Sequence, residues 1–160
     1  MFSKYYVPPA GSSADGDFTT VVTPESAGWT ESSLWTLELA PGADVHLQSG
    51  DNEIIVVPLA GSAVVVAEGG RRFPLTGRAS VFDGPSDFAY VGRDADYSVS
   101  SADGGGRFAL CGARAGAKLP PSIRSRIRSC GRAPRCRELQ PTGSQLRHRR
   151  HLRGRLHHRV

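Results

Sequence analysis

The sequence has few cysteines and no long apolar run. Three cysteines in 160 residues (Cys111, Cys130 and Cys136) are too few, and odd in number, for a disulfide framework, which predicts a reducing compartment. No apolar segment approaches the roughly 20 residues that a membrane-spanning helix requires. The N-terminal segment MFSKYYVPPAGSS lacks the apolar stretch of a secretory signal. These absences exclude a disulfide-rich secreted protein and a membrane protein, and predict a soluble cytoplasmic one.

Acidic residues are almost missing from the C-terminal part of the chain. Residues 121–160 contain 12 Arg and one Glu, a net charge of +11, whereas residues 1–120 contain 8 Lys+Arg and 14 Asp+Glu, a net charge of −6. The overall charge of +5 therefore describes neither part. We expect one domain over residues 1–118, followed by a disordered basic tail over residues 119–160.

Helical periodicity is also missing, since no segment between Leu34 and Cys111 keeps a 3.6-residue apolar period over three turns. The segment instead contains short β-branched or alternating runs, each of strand length and separated by turn residues: LWTLEL, ADVHLQ, EIIVVPL, SAVVVAE, ASVF, FAYV, YSVS and RFALCG. This pattern predicts an all-β fold, a jelly roll or β-sandwich. Pro58 removes one backbone donor from its run, which indicates a sheet edge or a bulge.

Jelly rolls of the cupin type often hold a metal inside the barrel. The segment PGADVHLQSGDNEIIVVPLAG resembles the first cupin motif, with Gly, His-x-His, Glu and Gly near Gly42, His46, Gln48, Glu53 and Gly61. The second motif corresponds to Gly92, Asp94 and Tyr97, and its histidine is a tyrosine here. A divalent ion needs about three good side-chain ligands, and His46 and Glu53 are at best two. We therefore predict no metal ligand, no cofactor and no catalytic residue in this chain.

Three further residues have two interpretations each, and a fourth, Cys111, has one. Trp29 and Trp35 could stack on a sugar ring, although aromatics beside strand starts more often pack in a core or an interface. Arg78 could bind a substrate carboxylate with both guanidinium arms, but after a turn glycine we expect it to pair with a nearby acid. Cys111, within RFALCGA, is expected to be a small buried apolar residue.

Three ordered strings resemble the N-terminal domain of the 5-deoxy-glucuronate isomerase family of myo-inositol catabolism, which are cytoplasmic bacterial two-cupin enzymes. The strings, matching in order and spacing over roughly residues 5 to 118, are AGWTESSLWTLELAPGA, DNEIIVVPLAGSAVVVAEG and LTGRASVFDGPSDFAYVG. The family usually has Pro where Gly92 stands, a departure expected to affect only a turn. The resemblance implies isomerisation of an aldose, 5-deoxy-glucuronate, to a ketose, 2-deoxy-5-keto-gluconate.

The same resemblance implies a divalent metal held by a second cupin, whose RGAG…HNFGT and PPHKHD strings do not occur here. We therefore expect this chain to be a truncated, inactive family member. Only the intact protein would act on a small uronate. The alternative is a metal-free cupin that binds sugars or dimerises. Loss of the second barrel would expose an apolar face, which predicts self-association through that face. We expect no specific nucleic-acid partner and no membrane partner.

The basic tail has three interpretations. As a genuine arm it would attract nucleic acid without sequence preference, although no aromatic residue follows Phe108 to stack on a base. Two cysteines and two histidines come close to zinc-finger spacing but miss it: Cys130, Cys136, His148 and His151. The third interpretation is a one-nucleotide frameshift near residues 119–124. Codons can be chosen for residues 144–151 so that the displaced frame reads HNFGTAG, and for residues 134–137 so that it reads RGAG, both strings of the missing cupin.

Overall fold

Residues 13–125 are described by the structure, a computed structural model. Eight strands follow in chain order: β1 (Phe18–Val22), β2 (Ser32–Leu39), β3 (Asp44–Gln48), β4 (Asn52–Ala67), β5 (Arg71–Arg78), β6 (Phe88–Val91), β7 (Asp96–Arg114) and β8 (Ser122–Arg124). All of their pairings are antiparallel. A short helix, α1 (Pro24–Ala27), and a 3-10 turn at Glu68–Gly70 complete the described elements. The all-β, cupin-like prediction is confirmed, and no helix within residues 13–125 has the length and apolar character of a membrane span.

Two long strands, β4 and β7, join the two sheets of the sandwich. They pair with each other over most of their length, interrupted by bulges between Pro58 and Ala60 and between Gly61 and Ala63. On one side of the bulges they belong to the sheet β1-β2-β7-β4-β6-β8. On the other side β3 pairs with β7 and β5 pairs with β4, which gives a second, four-stranded sheet. The bulge predicted at Pro58 is confirmed, because a residue without an N–H fits where the ladder shifts.

The core lies between the two sheets, since successive strand residues alternate between its inner and outer faces. In β4, Ile54, Val56 and Val65 are buried while their neighbours are half-buried. The largest fully buried side chains are Phe108, Leu37, Leu110, Val56, Val65, Val91, Val99 and Pro58. Each such apolar side chain contributes roughly 1.5–3 kcal/mol of hydrophobic stabilisation.

Close backbone approach shapes the end of the sandwich where β4 and β7 bend. Gly77, at the end of β5, has φ +63°, and a Cβ there would collide with the carbonyl of Gly61, whose own φ is +87°. Only glycine accommodates both the left-handed backbone and the contact. The residues between the predicted strands YSVS and RFALCG, expected to form a turn, instead lie inside β7, which continues past the bend.

Three sequence expectations for local structure are wrong. ASVF at 79–82 is a turn in which the Ser80 hydroxyl accepts a hydrogen bond from the Phe82 amide. Strand β5 was missed because its sequence, RRFPLTGR, contains Pro74; as an edge strand that pairs only with β4, it tolerates proline. Cys111 is exposed, because strand alternation places it on the outer face, opposite to its buried neighbours Leu110 and Gly112.

The ordered sheet continues beyond the boundary expected at residue 118. Strand β8 pairs with β6, and its Ile123 packs against the core. Gly92 touches this segment, because a Cβ at Gly92 would collide with the carbonyl of Leu119. The departure at Gly92 therefore affects more than a turn: it makes room for the chain that leads into β8. Residues 126–160, which include the zinc candidates Cys130, Cys136, His148 and His151, lie outside the described residues.

Candidate functional site

A cavity of about 230 Å³ opens between the sheets, at the end away from the bend. Its walls are largely apolar and come from five strands, with polar side chains among them: Phe18, Trp35, Leu47, Ile54 and Leu110, then Gln48, Ser49, Asn52 and Tyr97. The apolar residues come from the inner faces of these strands, whereas Gln48, Ser49 and Asn52 lie at or beside the β3–β4 turn. We call this space the barrel cavity.

The first cupin motif brings Gln48 to the barrel cavity, but not His46 or Glu53. On β3 the inward positions are Val45 and Leu47, which pack against the core. His46 faces outward with its side chain 84% exposed, and its Nε2 lies 3.3 Å from Oδ2 of Asp44. Glu53 lies on the outer face of the six-stranded sheet, where it accepts a hydrogen bond of 3.0 Å from the Tyr90 hydroxyl. His46 and Glu53 therefore do not converge.

The barrel cavity does not fit a divalent cation. Its wall offers hydroxyl and amide groups but no imidazole and no carboxylate. Within residues 13–125, no group of three His, Cys, Asp or Glu side chains is placed to hold a metal ion. Divalent and transition metals in proteins depend on such groups for tight binding.

Tyr97 occupies the position where the second cupin motif has its histidine, and it lines the barrel cavity. The residue is 5% exposed, and its hydroxyl has no hydrogen-bond partner among the described residues. Burial raises the pKa of the Tyr97 hydroxyl, so the group is neutral and can donate as well as accept. Tyr90 differs, because its hydroxyl is already bonded to Glu53.

Ser33 supplies a second hydroxyl without a partner. Its Oγ is buried and forms no hydrogen bond. Ser33 lies beside the cavity wall, since a Cβ placed on Gly112 would meet Ser33 Oγ, the Trp35 ring and Ile54 together. No motif points to Ser33. Its sequence signal is a small polar residue in a strand, and only the structure shows that this position faces inward on β2.

The polar groups at the cavity rim are held by the fold. The Ser49 hydroxyl accepts a hydrogen bond of 2.9 Å from the Ala95 amide and donates one of 3.3 Å to the Ala95 carbonyl. Gln48 donates from Nε2 to Oδ1 of Asp96 at 2.8 Å. These bonds join the β3–β4 turn to the start of β7 and satisfy the rim groups, unlike the Tyr97 hydroxyl.

The remaining candidates divide between cavity and surface. Trp35 is half-buried on the cavity wall, whereas Trp29 is 45% exposed and does not line the cavity. The Arg78 guanidinium donates to the Pro58 carbonyl at 3.1 Å and to the Gly84 carbonyl at 2.8 Å. The expected pairing of Arg78 with an acid is wrong, because two backbone carbonyls satisfy the guanidinium at the bend.

Comparison with known proteins agrees with this architecture. The KduI/IolB family matches residues 5–136. The structure is similar to an IolB-like protein from Salmonella typhimurium, with 25% sequence identity and a TM-score of 0.63. That match covers 70% of this chain and 43% of the other, so this chain spans less than half of that protein's length.

Two further matches are more distant and concern the fold. A cupin protein from Bacteroides fragilis has 18% identity and a TM-score of 0.48, covering 71% of this chain and 92% of the other. A mutant oxalate decarboxylase from Bacillus subtilis has 23% identity and a TM-score of 0.47, covering 61% of this chain and 25% of the other. No curated protein sequence matches the chain.

Proposed function

The chain belongs to the KduI/IolB family, which includes isomerases of sugar metabolism, and from this premise we propose its role. It corresponds to the metal-free first cupin of a cytoplasmic 5-deoxy-glucuronate isomerase of inositol catabolism. The intact protein would interconvert an aldose and a ketose, as an intramolecular oxidoreductase. By itself this chain does not catalyse the reaction.

The observation that carries this proposal is the chemistry of the barrel cavity. Moving a proton between adjacent sugar carbons needs a general base, and the enediolate that forms needs an electrophile, commonly a divalent metal. The cavity wall contains neither a carboxylate nor an imidazole. The residues that hold the metal would belong to the second cupin, consistent with a relative more than twice as long as the segment it shares with this chain.

We also propose a position for the frameshift. Strand β8 fits the sheet, and Ile123 packs on the core, so the encoded sequence suits the fold up to Arg124. We therefore propose a one-nucleotide slip near Arg124, at the end of the expected range 119–124. Sequencing the coding DNA across codons 115–165 and downstream tests it: a displaced frame that continues as a second cupin supports the slip, and an uninterrupted frame with unrelated downstream sequence refutes it.

Activity is tested with the purified chain and 5-deoxy-glucuronate, with and without added Zn²⁺ or Mn²⁺. We expect no formation of 2-deoxy-5-keto-gluconate and no metal retained after gel filtration. A positive control is the same chain fused in frame to the sequence encoded by the displaced frame. Turnover by the purified chain with a bound divalent ion would refute the proposal.

We also propose that this chain self-associates through the outer face of the six-stranded sheet. Leu34, Cys111, Ile55 and Tyr90 form one row across β2, β7, β4 and β6. The first three give this row an apolar or weakly polar surface that is half-buried or exposed. This chain spans 43% of the IolB-like protein, so a second copy bound to this face would have about the length of the part that this chain lacks. Apolar faces of this kind favour protein contacts.

Self-association is measured by light scattering over a range of protein concentrations. We expect a dimer that Ile55→Lys converts to a monomer. Val64→Lys is the matched control, because Val64 is also a half-buried β4 residue but lies on the second sheet. With Cys130 and Cys136 replaced by serine, alkylation of Cys111 should slow as the dimer forms. A monomer at every concentration would refute this contact.

A further inference from the structure

We propose that the barrel cavity binds an uncharged, ring-shaped polyol such as a single monosaccharide. No step of isomerisation is assigned to this site, so the inference goes beyond the proposed function. It rests on four features of the cavity: its size, its aromatic wall, its unpaired hydroxyls and its charge.

The size and the walls fit one small ring. The volume of about 230 Å³ lies below the roughly 300 Å³ at which pockets begin to take drug-sized ligands. Trp35 and Phe18 give one part of the wall flat aromatic surfaces, and Leu47 and Leu110 continue it. Small-molecule sites combine such apolar walls with a few placed polar groups. A ring with one apolar C–H face and outward hydroxyls matches this combination.

The polar groups are two hydroxyls that the fold does not use. Ser33 Oγ is buried without a partner, and the Tyr97 hydroxyl has none among the described residues. Ser33 Oγ has no contact with solvent, whereas the Tyr97 hydroxyl is exposed to the cavity and is available to a ligand. Tyr97 lines the cavity and Ser33 lies behind its Trp35 and Ile54 wall. The Tyr97 hydroxyl can donate and accept, as a polyol hydroxyl requires.

Charge near the cavity disfavours an anionic ligand. The wall contains no Lys or Arg. Asp96 is bonded to Gln48 at the rim, and Asp94 lines the adjoining groove with Gln48 and Asp96. The nearby Arg93 is already paired with Asp51 at 3.1 Å and with Asp94 at 2.7 Å. Lys118, which donates to the Asp94 carbonyl, is likewise paired, with Glu68. A carboxylate in the cavity would face Asp96 at the rim while the nearby cations are already paired, so a neutral polyol is preferred over a uronate.

The test uses the full chain with Trp29→Phe, which leaves Trp35 as the single tryptophan and a fluorescent reporter in the cavity wall. The probes are D-glucose, myo-inositol and D-glucuronate. We expect saturable changes in Trp35 emission with at least one of the neutral probes, and binding of D-glucuronate about tenfold weaker because of the acidic rim.

Tyr97→Phe in the same background should weaken binding of the neutral probe about fivefold, the loss of one hydrogen bond between uncharged groups. Tyr90→Phe is the matched control: it also removes one tyrosine hydroxyl, but on the outer face, and should leave binding unchanged. If Tyr97→Phe fails to fold, Phe18→Leu takes its place: it removes an aromatic surface from the cavity wall and should likewise weaken binding.

Three results would overturn the proposal: no saturable signal from either neutral probe, D-glucuronate binding as tightly as the neutral probe, or equal binding by Tyr97→Phe and Tyr90→Phe. Failure of the isomerase assay would not affect it, and failure of this titration would not affect the assignment of catalysis to a second cupin.

Discussion

The two ends of the sandwich differ in the hydrogen bonding of their polar side chains. At the bend, the buried Asp87 carboxylate accepts hydrogen bonds from the amides of Thr76 at 2.7 Å and Gly77 at 3.0 Å. Arg78 is likewise satisfied by two carbonyls. At the cavity end, the hydroxyls of Ser33 and Tyr97 have no partner among the described residues.

The difference separates groups that stabilise the fold from groups that are free for a ligand. A polar side chain already bonded to backbone contributes to stability, and its loss leaves buried partners unpaired. A buried hydroxyl without a partner contributes nothing of this kind, so its removal costs the fold little. Stability measurements at the two ends can therefore test which residues serve which purpose.

The largest effect is expected at the bend, for Gly77→Ala. The substitution places a Cβ against the Gly61 carbonyl and imposes φ +63° on alanine. We expect a loss of about 4 kcal/mol in the free energy of unfolding, or failure to fold. Gly69→Ala is the control: its φ is +75° but nothing lies within 4 Å of the added Cβ, so it should cost about 1 kcal/mol. Equal losses in urea denaturation would show that the contact is unimportant.

Asp87→Ala should have the next largest effect. The buried amide of Gly77 and the part-buried amide of Thr76 lose a charged acceptor, and we expect a loss of about 3 kcal/mol in the free energy of unfolding. Asp83→Ala, an exposed carboxylate in the same loop, should change stability by less than about 0.5 kcal/mol. A mild effect of Asp87→Ala would remove the contrast between the two ends.

Two serines at the cavity end sharpen the comparison within one region. Ser49→Ala leaves the Ala95 amide unpaired and should cost about 1–2 kcal/mol. Ser33→Ala removes a hydroxyl that has no partner and should be neutral or slightly stabilising. Thermal unfolding without added ligand measures both. A cost for Ser33→Ala as large as that for Ser49→Ala would mean that the fold uses the Ser33 hydroxyl.

Tyr97→Phe should have the smallest effect at neutral pH and a clear one in alkali. Burial raises the pKa of Tyr97 in the folded state. The unfolded chain therefore loses this proton first, and stability falls as pH rises above the ordinary tyrosine value of about 10. Tyr97→Phe should show a weaker loss of stability above that pH and little change at pH 7. Identical alkaline unfolding curves for the variant and the wild type would contradict the burial of an ionisable Tyr97.

The sequence predicted the fold class better than the site. Alternating apolar runs identified most of the central strands, and Pro58 predicted the bulge where β4 bends. Edge strands β5 and β8 lack that pattern, since pairing on one side places fewer demands on their residues. Motif spacing alone could not show which face His46 or Cys111 occupies, because a shift of one residue reverses every side chain of a strand.

The polar groups at the barrel cavity could not be predicted from the sequence for a related reason. Ser33 and Tyr97 are 64 positions apart on different strands, and neither belongs to a recognisable ligand pattern. Their shared property, a hydroxyl without a partner, depends on what surrounds them in the folded sheet. The resemblance to a two-cupin isomerase predicted the absence of metal ligands but did not predict these two hydroxyls without partners.

The most direct test of the contrast between the ends is the stabilisation that a bound neutral polyol gives to the wild type and to Tyr97→Phe. A ligand that binds only the folded state raises the unfolding temperature according to its affinity. We predict that D-glucose or myo-inositol raises the unfolding temperature of the wild type by more than it raises that of Tyr97→Phe. The double variant Tyr90→Phe plus Tyr97→Phe serves as the reference for the general effect of a polyol on the unfolding temperature. The same rise in wild type and Tyr97→Phe would contradict the account, because the unpaired hydroxyl would then have no part in binding.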